Sequence, residues 1–142
     1  LVVHSAEDVG LADPNALVIA TSAMTALQNI GAPEGLIPLS EAIIYVCEAE
    51  KSNTVVEAMY SAESNAINVR DNNIPPHLKN YEFASKEDKL NKSNYKYPHD
   101  YGGYVEQQYL PDSLKDRVYY NPKENGYEKT VKEIRKKKGK NK

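Results

Sequence analysis

The chain has 142 residues, 40% hydrophobic and 27% charged, with a formal net charge of −2 at pH 7. This length suits one domain with a real core, so we expect one helical domain over residues 1–138 and a disordered tail at 139–142. No apolar run approaches the ~20 residues that a membrane span needs. A single cysteine rules out an internal disulfide and fits a reducing compartment, so we expect a cytoplasmic protein.

Charge is distributed unevenly along the chain. Residues 1–50 contain seven acids and no Lys or Arg, whereas residues 128–142 contain eight Lys or Arg against Glu128 and Glu133. The first part would repel a phosphate backbone, and only the C-terminal end would attract one. The chain begins at Leu1 rather than Met, directly in a helix-like pattern, so we expect it to belong to a longer protein. Residues 1–10 show no signal-peptide pattern.

The first two elements are predicted to be helices. Residues 1–9 have a helical pattern, which Gly10 is expected to close in a left-handed conformation. Asp13-Pro14 predicts the N-cap and first residue of a second helix, which ends near residue 30 because Gly31 follows. The side chains predicted to share its main apolar face are Leu17, Ala20, Met24, Leu27 and Ile30.

Residues 36–50 are ambiguous, because the apolar run Ile43 to Cys47 alone would suit a buried strand. Helix-favouring flanks make the stretch too long for a strand, so we predict a helix. Cys47 lies in this apolar helix and is predicted to be a buried, unreactive thiol rather than a nucleophile.

Residues 52–69 carry the clearest helical periodicity. Ser52 is the predicted N-cap, since its hydroxyl can accept from free backbone amides. One apolar stripe follows, formed by Val55, Met59, Ala62, Ala66 and Val69. Because almost no loop precedes this helix, we predict that it forms an antiparallel hairpin with the helix before it. The hairpin is expected to be covered by other copies of the chain at Ile43, Val55, Met59 and Ala62, with the 14–30 helix beneath it.

The pattern becomes irregular after residue 70. Residues 84–94 are polar and are expected to be mobile, and Gly102-Gly103 is predicted to form a turn. Seven tyrosines between residues 95 and 120 predict an irregular segment whose rings anchor it on the helical body. Asn121-Pro122 predicts the start of a last helix, and the tail from Arg135 onward is expected to be solvated and disordered. The apolar stripe of that last helix consists of Tyr127, Val131 and Ile134.

Sequence signatures of catalysis are missing. The chain has no Gly-x-x-x-x-Gly-Lys-Ser/Thr loop, no zinc-ligand spacing and no Gly-x-Ser-x-Gly elbow, so we assign no catalytic, cofactor-binding or metal residue. His99-Asp100 is the one pair that resembles a polar site. A hydrogen-bonded structural pair is favoured over proton transfer, since buried polar groups usually pair. Stacking of the tyrosines on single-stranded DNA, with the basic tail on phosphates, is the alternative function.

Several stretches together resemble a known family: residues 1–14, 41–53, Pro-Pro-His-Leu-Lys-Asn at 75–80, Tyr-Lys-Tyr-Pro-His-Asp-Tyr at 95–101, and 119–128. Together they resemble the C-terminal part of the MgsA/RarA family of AAA+ ATPases, the replication-associated recombination proteins, which are akin to the Werner-helicase-interacting ATPases. The resemblance covers nearly the whole chain in the same order.

The resemblance implies an all-α domain, similar to a clamp-loader collar, that follows the ATPase and lid modules and assembles a homotetramer. It implies that the full-length protein is a DNA-stimulated ATPase that uses ATP and Mg, acts at stalled forks in replication, recombination and repair, and has single-stranded-DNA-binding protein as a partner. It also implies a bacterial, nucleoid-associated location. Because the family's nucleotide-binding motifs lie outside this chain, the chain itself is not expected to be an enzyme.

Overall fold

The computed structural model describes residues 1–69, 71, 73–79, 86 and 95–139. All regular structure in these ranges is helical, without a β-strand, which confirms the all-α prediction. The main helices are α1 (Val2–His4), α2 (Asn15–Ile30), α3 (Leu36–Glu48), α4 (Thr54–Asn68) and α5 (Tyr127–Lys137). Contacts divide the described chain into a first unit, Leu1–Glu63 with residues 119–139, and a second unit, Ser64–Val118.

The first unit begins with a helix of changing pitch. The α1 turn continues as a π-helical turn at Ser5–Val9 and a 3₁₀ turn at Gly10–Ala12. Gly10 has a φ of +54°, and a Cβ there would lie 2.7 Å from the carbonyl oxygen of Ser52. Glycine therefore permits both the chain reversal and the close approach of Ser52. The π-helical turn ends before Gly10 as predicted, but the predicted left-handed helical conformation of Gly10 is wrong, since its ψ is −133°.

An antiparallel pair of helices, α2 and α3, forms the core of the first unit. Val46 near the end of α3 packs with Ala16 at the start of α2, and Gly35 before α3 lies against Leu27 near the end of α2. The buried side chains of the pair are small: Ala16, Ala20, Ala23, Ala42 and Val46. Such small side chains let the two helix axes approach closely.

This packing corrects two predictions. The predicted apolar face of α2 is wrong in most of its members, since Ala20 is 1% exposed but Met24 is 45% exposed, and Leu17 and Ile30 are also exposed. The buried stripe is the alanine row, because only small side chains allow α3 to approach closely. Cys47 is exposed rather than buried, since it lies about 100° around α3 from the buried Val46.

The helix α4 begins close to its predicted start, but it does not pair with α3 as predicted. After Ala49 the backbone is extended, with a ψ of 146°. The backbone N–H of Ser52 donates to the carbonyl of Asp8 at 2.8 Å, so the start of α4 packs against the N-terminal segment instead. The predicted α3–α4 hairpin is therefore wrong, and α2 with α3 is the true antiparallel pair.

The C-terminal part of the first unit also departs from two predictions. The last helix begins at Tyr127, after Gly126, rather than at Asn121-Pro122. Arg135 belongs to α5 and packs on Tyr120, so the disordered tail does not begin there. Residues 140–142 lie outside the described residues.

The regular structure described in the second unit is the end of α4, the helical Lys86, and 3₁₀ turns at Pro76–Leu78, Pro98–Tyr101 and Asp112–Leu114. Side-chain amides join its segments, since Gln107 binds both the backbone N–H and the carbonyl of Lys96, at 3.1 and 2.8 Å. The ring Nε2 of His77 donates to the carbonyl of Gln108 at 2.8 Å. The predicted turn at 102–103 is confirmed by two positive φ angles. The segment 84–94 lies outside the described residues except for Lys86.

No helix among the described residues is long and apolar enough to cross a bilayer.

Candidate oligomer interface and the buried Glu128 cluster

Large apolar side chains remain exposed on the helices of the first unit. Of the predicted interface residues, Ile43 is 45% and Met59 53% exposed, Val55 is exposed, and Ala62 is half-buried. Sequence reasoning missed two more residues of α3, Ile37 and Ile44, which are 72% and 63% exposed. Their spacing of seven places them on one face of a helix, which is the signal that could have found them.

An open groove runs beside this face of α3. It is lined by Ile37, Glu41, Ile44 and Glu48 along the helix and is bounded by Asp13 and Tyr45. The groove therefore offers two exposed isoleucines within an acidic rim.

Asp13 fixes one end of the groove. The Tyr45 hydroxyl donates to its Oδ2 at 2.7 Å, and the backbone N–H of Asn15 donates to its Oδ1 at 3.0 Å. The hydrogen bond to Asp13, followed by burial and the carboxylate charge, raises the pKa of the Tyr45 phenol. Asp13 thus serves α2 as the predicted N-terminal acceptor and also holds Tyr45 of α3.

A row of small polar side chains lines a second shallow groove, on α2. The Ser22 and Thr25 hydroxyls donate to carbonyls one turn earlier, at 2.8 and 3.0 Å, and the Asn29 amide does so at 2.7 Å. Because their donors are satisfied within the helix, these side chains leave a face that another surface can cover at little desolvation cost.

Glu128 is the most buried polar residue of the first unit, with 0% exposure. Its carboxylate accepts hydrogen bonds from Ser52 Oγ at 2.8 Å, from Thr54 Oγ1, and from the backbone N–H of Lys123 at 3.0 Å. The Tyr120 hydroxyl adds a fourth at 3.2 Å. We call these five residues the Glu128 cluster, which joins the start of α4 to the start of α5.

The cluster keeps Glu128 ionised. Burial by itself would raise the pKa of the carboxyl, but the four donors outweigh it, and the pKa lies below its usual range. For Tyr120, burial and then the negative charge of Glu128 raise the pKa to about 12. Arg135 stacks over the Tyr120 ring at 4.9 Å and donates to the Tyr120 carbonyl at 2.9 Å. This stacking confirms the predicted anchoring by rings for Tyr120.

The chain between α3 and α4 is fixed by a lysine. The ammonium of Lys51 donates to the carbonyls of Val46 at 2.7 Å and Cys47 at 3.1 Å, and also to that of Ala49. A cation suits the carbonyls at the C-terminal end of a helix. The Asn125 side chain donates to the Lys51 carbonyl at 2.8 Å, which ties this connection to the loop before α5.

The Ser52 hydroxyl accepts from the Thr54 backbone N–H at 3.4 Å, as the N-cap prediction expected, but its shorter bond is to Glu128. The polar pair His99 and Asp100 lies in the exposed 3₁₀ turn of the second unit, where the His99 ring is tilted against Tyr97 at 5.0 Å. A structural role for this pair stays a prediction.

Comparison with known proteins identifies the family of this chain. The family described as MgsA AAA+ ATPase C terminal matches residues 1–138. The chain belongs to this family. It is therefore a C-terminal domain of an MgsA-type AAA+ ATPase.

Curated relatives agree with the MgsA assignment. Replication-associated recombination protein A of Bacillus subtilis is 38% identical over 136 residues, 94% of this chain and 32% of that protein. The Haemophilus influenzae protein of the same name is 37% identical over 135 residues, 94% of this chain and 30% of that protein. An uncharacterised Thermotoga maritima protein is 40% identical over 131 residues, 92% of this chain and 21% of that protein. The chain thus spans about a fifth to a third of these relatives.

Proposed function

We propose that this domain assembles the AAA+ ATPase into a homotetramer. The observation that supports the proposal is an inverted packing pattern. The contact between α2 and α3 buries alanines, whereas larger side chains such as Met24, Ile37 and Ile44 remain exposed. A helical domain that hid its largest apolar groups internally would show the opposite arrangement.

The exposed apolar side chains support a subunit interface, because burying them would contribute a substantial free energy of association. Full burial of one isoleucine or methionine side chain contributes about 1.5–3 kcal/mol, so covering Ile37, Ile44 and Met59 would supply several kcal/mol. Single exposed apolar residues are common on monomers, but apolar side chains exposed on consecutive helices are typical of subunit contacts. The proposed interface comprises Ile37, Ile43, Ile44, Val55, Met59 and Ala62.

The mass of the 142-residue chain, measured by light scattering at tens of micromolar, tests this proposal. We expect the mass of four chains, and we expect Ile37→Asp and Ile44→Asp to yield a smaller species with unchanged helicity by circular dichroism. Thr130→Asp introduces the same charge at an exposed position of α5 and should leave the mass unchanged. A monomeric unsubstituted chain at that concentration would overturn the proposal.

The activity of the whole protein belongs to the same proposal. We infer that ATP and Mg bind modules outside this chain, and that this domain is not itself catalytic. DNA-stimulated hydrolysis at stalled forks, contact with single-stranded-DNA-binding protein, and a cytoplasmic, nucleoid-associated location are proposed from the family resemblance. Tetramerisation would then hold four motor modules together, which raises their effective concentration on one DNA substrate.

A second candidate is single-stranded DNA binding through the tyrosine segment. Its support is the exposure of the rings of Tyr95, Tyr97, Tyr101 and Tyr109. Four acids in the same stretch, Asp100, Glu106, Asp112 and Asp116, oppose it, since they would repel phosphates. Weaker nucleic-acid binding after the positive charges of this segment at Lys96, Lys115 and Arg117 are removed would favour this candidate.

A further inference from the structure

The helix α5 uses only one side for packing. Glu128 is buried and Val131 and Arg135 are partly buried, at spacings of three and four residues that place them on one face. The apolar side chains Tyr127 and Ile134 are exposed on a different side of the helix.

Three lysines lie together beside the packed face of α5. Lys129, Lys132 and Lys136 fall within about 60° of arc at 3.6 residues per turn, and we call this row the lysine ridge. Lys129 and Lys136 are exposed and Lys132 is partly so. Lys132 forms an ion pair with Glu124. The pKa of Glu124 lies below its usual range, first because of the hydrogen bond and charge of Lys132, and then because of the charges of Lys136 and Lys129. The three ammonium groups therefore share one electrostatic site.

We propose that the lysine ridge binds the phosphate backbone of a nucleic acid. From Lys129 to Lys136 the helix rises about 10.5 Å, and one DNA strand presents a phosphate about every 3.4 Å of axis, so the ridge spans about three phosphates. Residues 128–142 carry eight Lys or Arg against two Glu, of which Glu128 is buried and already paired. Because the buried Glu128 does not face solvent, the charge that residues 128–142 present to solvent is strongly positive.

The composition of the ridge favours a nucleic acid over a protein partner. Protein interfaces depend on buried aromatic or apolar anchors, whereas binding to phosphates depends on released counterions. The apolar residues of α5, Tyr127 and Ile134, lie about 170° around the helix from the centre of the ridge. All three ridge lysines lie on the α5 of a single chain, so binding to phosphates does not require the proposed tetramer.

Fluorescence anisotropy with a labelled 20-base-pair duplex tests the ridge on the 142-residue chain. Three phosphate contacts predict that affinity falls roughly 40-fold between 50 and 200 mM salt. The combined variant Lys129→Gln, Lys132→Gln, Lys136→Gln should bind at least about tenfold more weakly at 50 mM salt, with a much flatter salt dependence. Glu124→Gln should bind more tightly, since it releases Lys132 from its acidic partner.

A matched control changes net charge equally elsewhere. The combined variant Lys96→Gln, Lys115→Gln, Arg117→Gln removes three exposed charges from the tyrosine segment and should bind within twofold of the unsubstituted chain. If this control lost as much DNA affinity as the ridge variant, the lysine ridge would not be the binding site. If substitutions of the exposed tyrosine rings also weakened binding, the tyrosine segment would be the favoured site. Replacing the three ridge lysines by arginine should preserve binding.

Two further measurements separate the remaining outcomes. A labelled 20-residue polyglutamate that bound the ridge as tightly as the duplex would identify an acidic protein surface instead and overturn the nucleic-acid assignment. Light scattering of the ridge variant should report the same mass as the unsubstituted chain, so loss of DNA binding would not be confused with loss of assembly. Absence of salt-dependent binding by the unsubstituted chain would also overturn the proposal.

Discussion

Two contacts hold the first unit together by opposite chemistry. Between α2 and α3 the contact is apolar and lined with alanines, whereas between the start of α4 and α5 it is formed by the charged carboxylate of Glu128. The alanine contact is local in sequence, since one short loop separates its helices. The Glu128 contact is distant in sequence, since Thr54 lies 74 positions and Ser52 lies 76 positions before Glu128.

The difference has consequences for both stability and assembly. Small side chains permit close helix packing but bury little area each, so the α2–α3 pair leaves larger groups uncovered. A buried carboxylate contributes only if its donors remain in place, because an unpaired buried charge is costly. We therefore expect the polar contact to be the more fragile of the two, and the following predictions test that ranking.

The largest effect is expected for Glu128→Leu. This substitution leaves the Ser52 and Thr54 hydroxyls and the Lys123 N–H without their acceptor in a buried site, which should cost about 3–5 kcal/mol. Urea unfolding followed by circular dichroism measures the change. The matched control Glu133→Leu, on the exposed part of the same helix, should stay within about 0.5 kcal/mol.

Acid provides a second test of the same cluster. Because the pKa of Glu128 is lower in the folded than in the unfolded state, its contribution is present above the unfolded pKa of about 4.3 and is lost as pH falls through the folded pKa. The stability difference between the unsubstituted chain and Glu128→Leu should therefore shrink below about pH 4. A difference that stayed constant down to pH 2 would contradict the ionised carboxylate.

The next largest effect is expected for Gly126→Ala. Gly126 has a φ of +49°, and a Cβ there would lie 2.1 Å from the carbonyl oxygen of Ala12. The backbone strain and the clash should together cost about 2 kcal/mol or more, and they should displace Glu128 two residues later. Gly139→Ala is the matched control, since Gly139 also has a positive φ but no neighbour within 4 Å. Equal thermal shifts for the two variants would refute the close approach of Ala12.

Overpacking of the alanine contact should have a smaller effect. Ala20→Leu inserts a large side chain where α3 approaches closely, and we expect a loss of about 1–3 kcal/mol. Met24→Leu, one turn later on the exposed side of α2, conserves volume and should cost less than about 1.5 kcal/mol. Thermal unfolding compares the two. A neutral Ala20→Leu would mean that the α2–α3 contact is looser than the alanine row indicates.

These two contacts also mark what the sequence could and could not predict. The helices α2, α3 and α4 follow from local signals, namely Asp13-Pro14, Gly31 and the periodicity of 52–69, so their existence was predicted correctly. Which face would be buried was not, because periodicity identifies apolar faces but does not reveal that a partner helix prefers alanines to Met24 or Leu17. The same limitation produced the wrong placement of Cys47.

Pairing and polar contacts depend on residues far apart in sequence. The α3–α4 hairpin was predicted from a short connection, but the extended backbone after Ala49 and the bond from Ser52 to Asp8 send α4 elsewhere. The sequence pattern shows Glu128 only as one of two acidic residues in the basic segment 128–142. Its burial depends on Ser52 and Thr54, more than seventy residues earlier, and no local pattern connects them.

The smallest expected effect concerns Tyr120, at the edge of the Glu128 cluster. Tyr120→Phe keeps the stacking under Arg135 but removes the hydroxyl that donates to Glu128, so we expect a loss of about 1 kcal/mol at neutral pH. Because the folded-state pKa of Tyr120 is raised to about 12, the hydroxyl contributes fully below the unfolded pKa of about 10, and its contribution fades as pH rises through 12. Tyr45 also has a raised pKa, so the late part of the tyrosine titration, followed by absorbance near 295 nm, should become smaller in Tyr120→Phe rather than disappear. A late component of unchanged amplitude in Tyr120→Phe would place the phenol with a pKa of about 12 elsewhere.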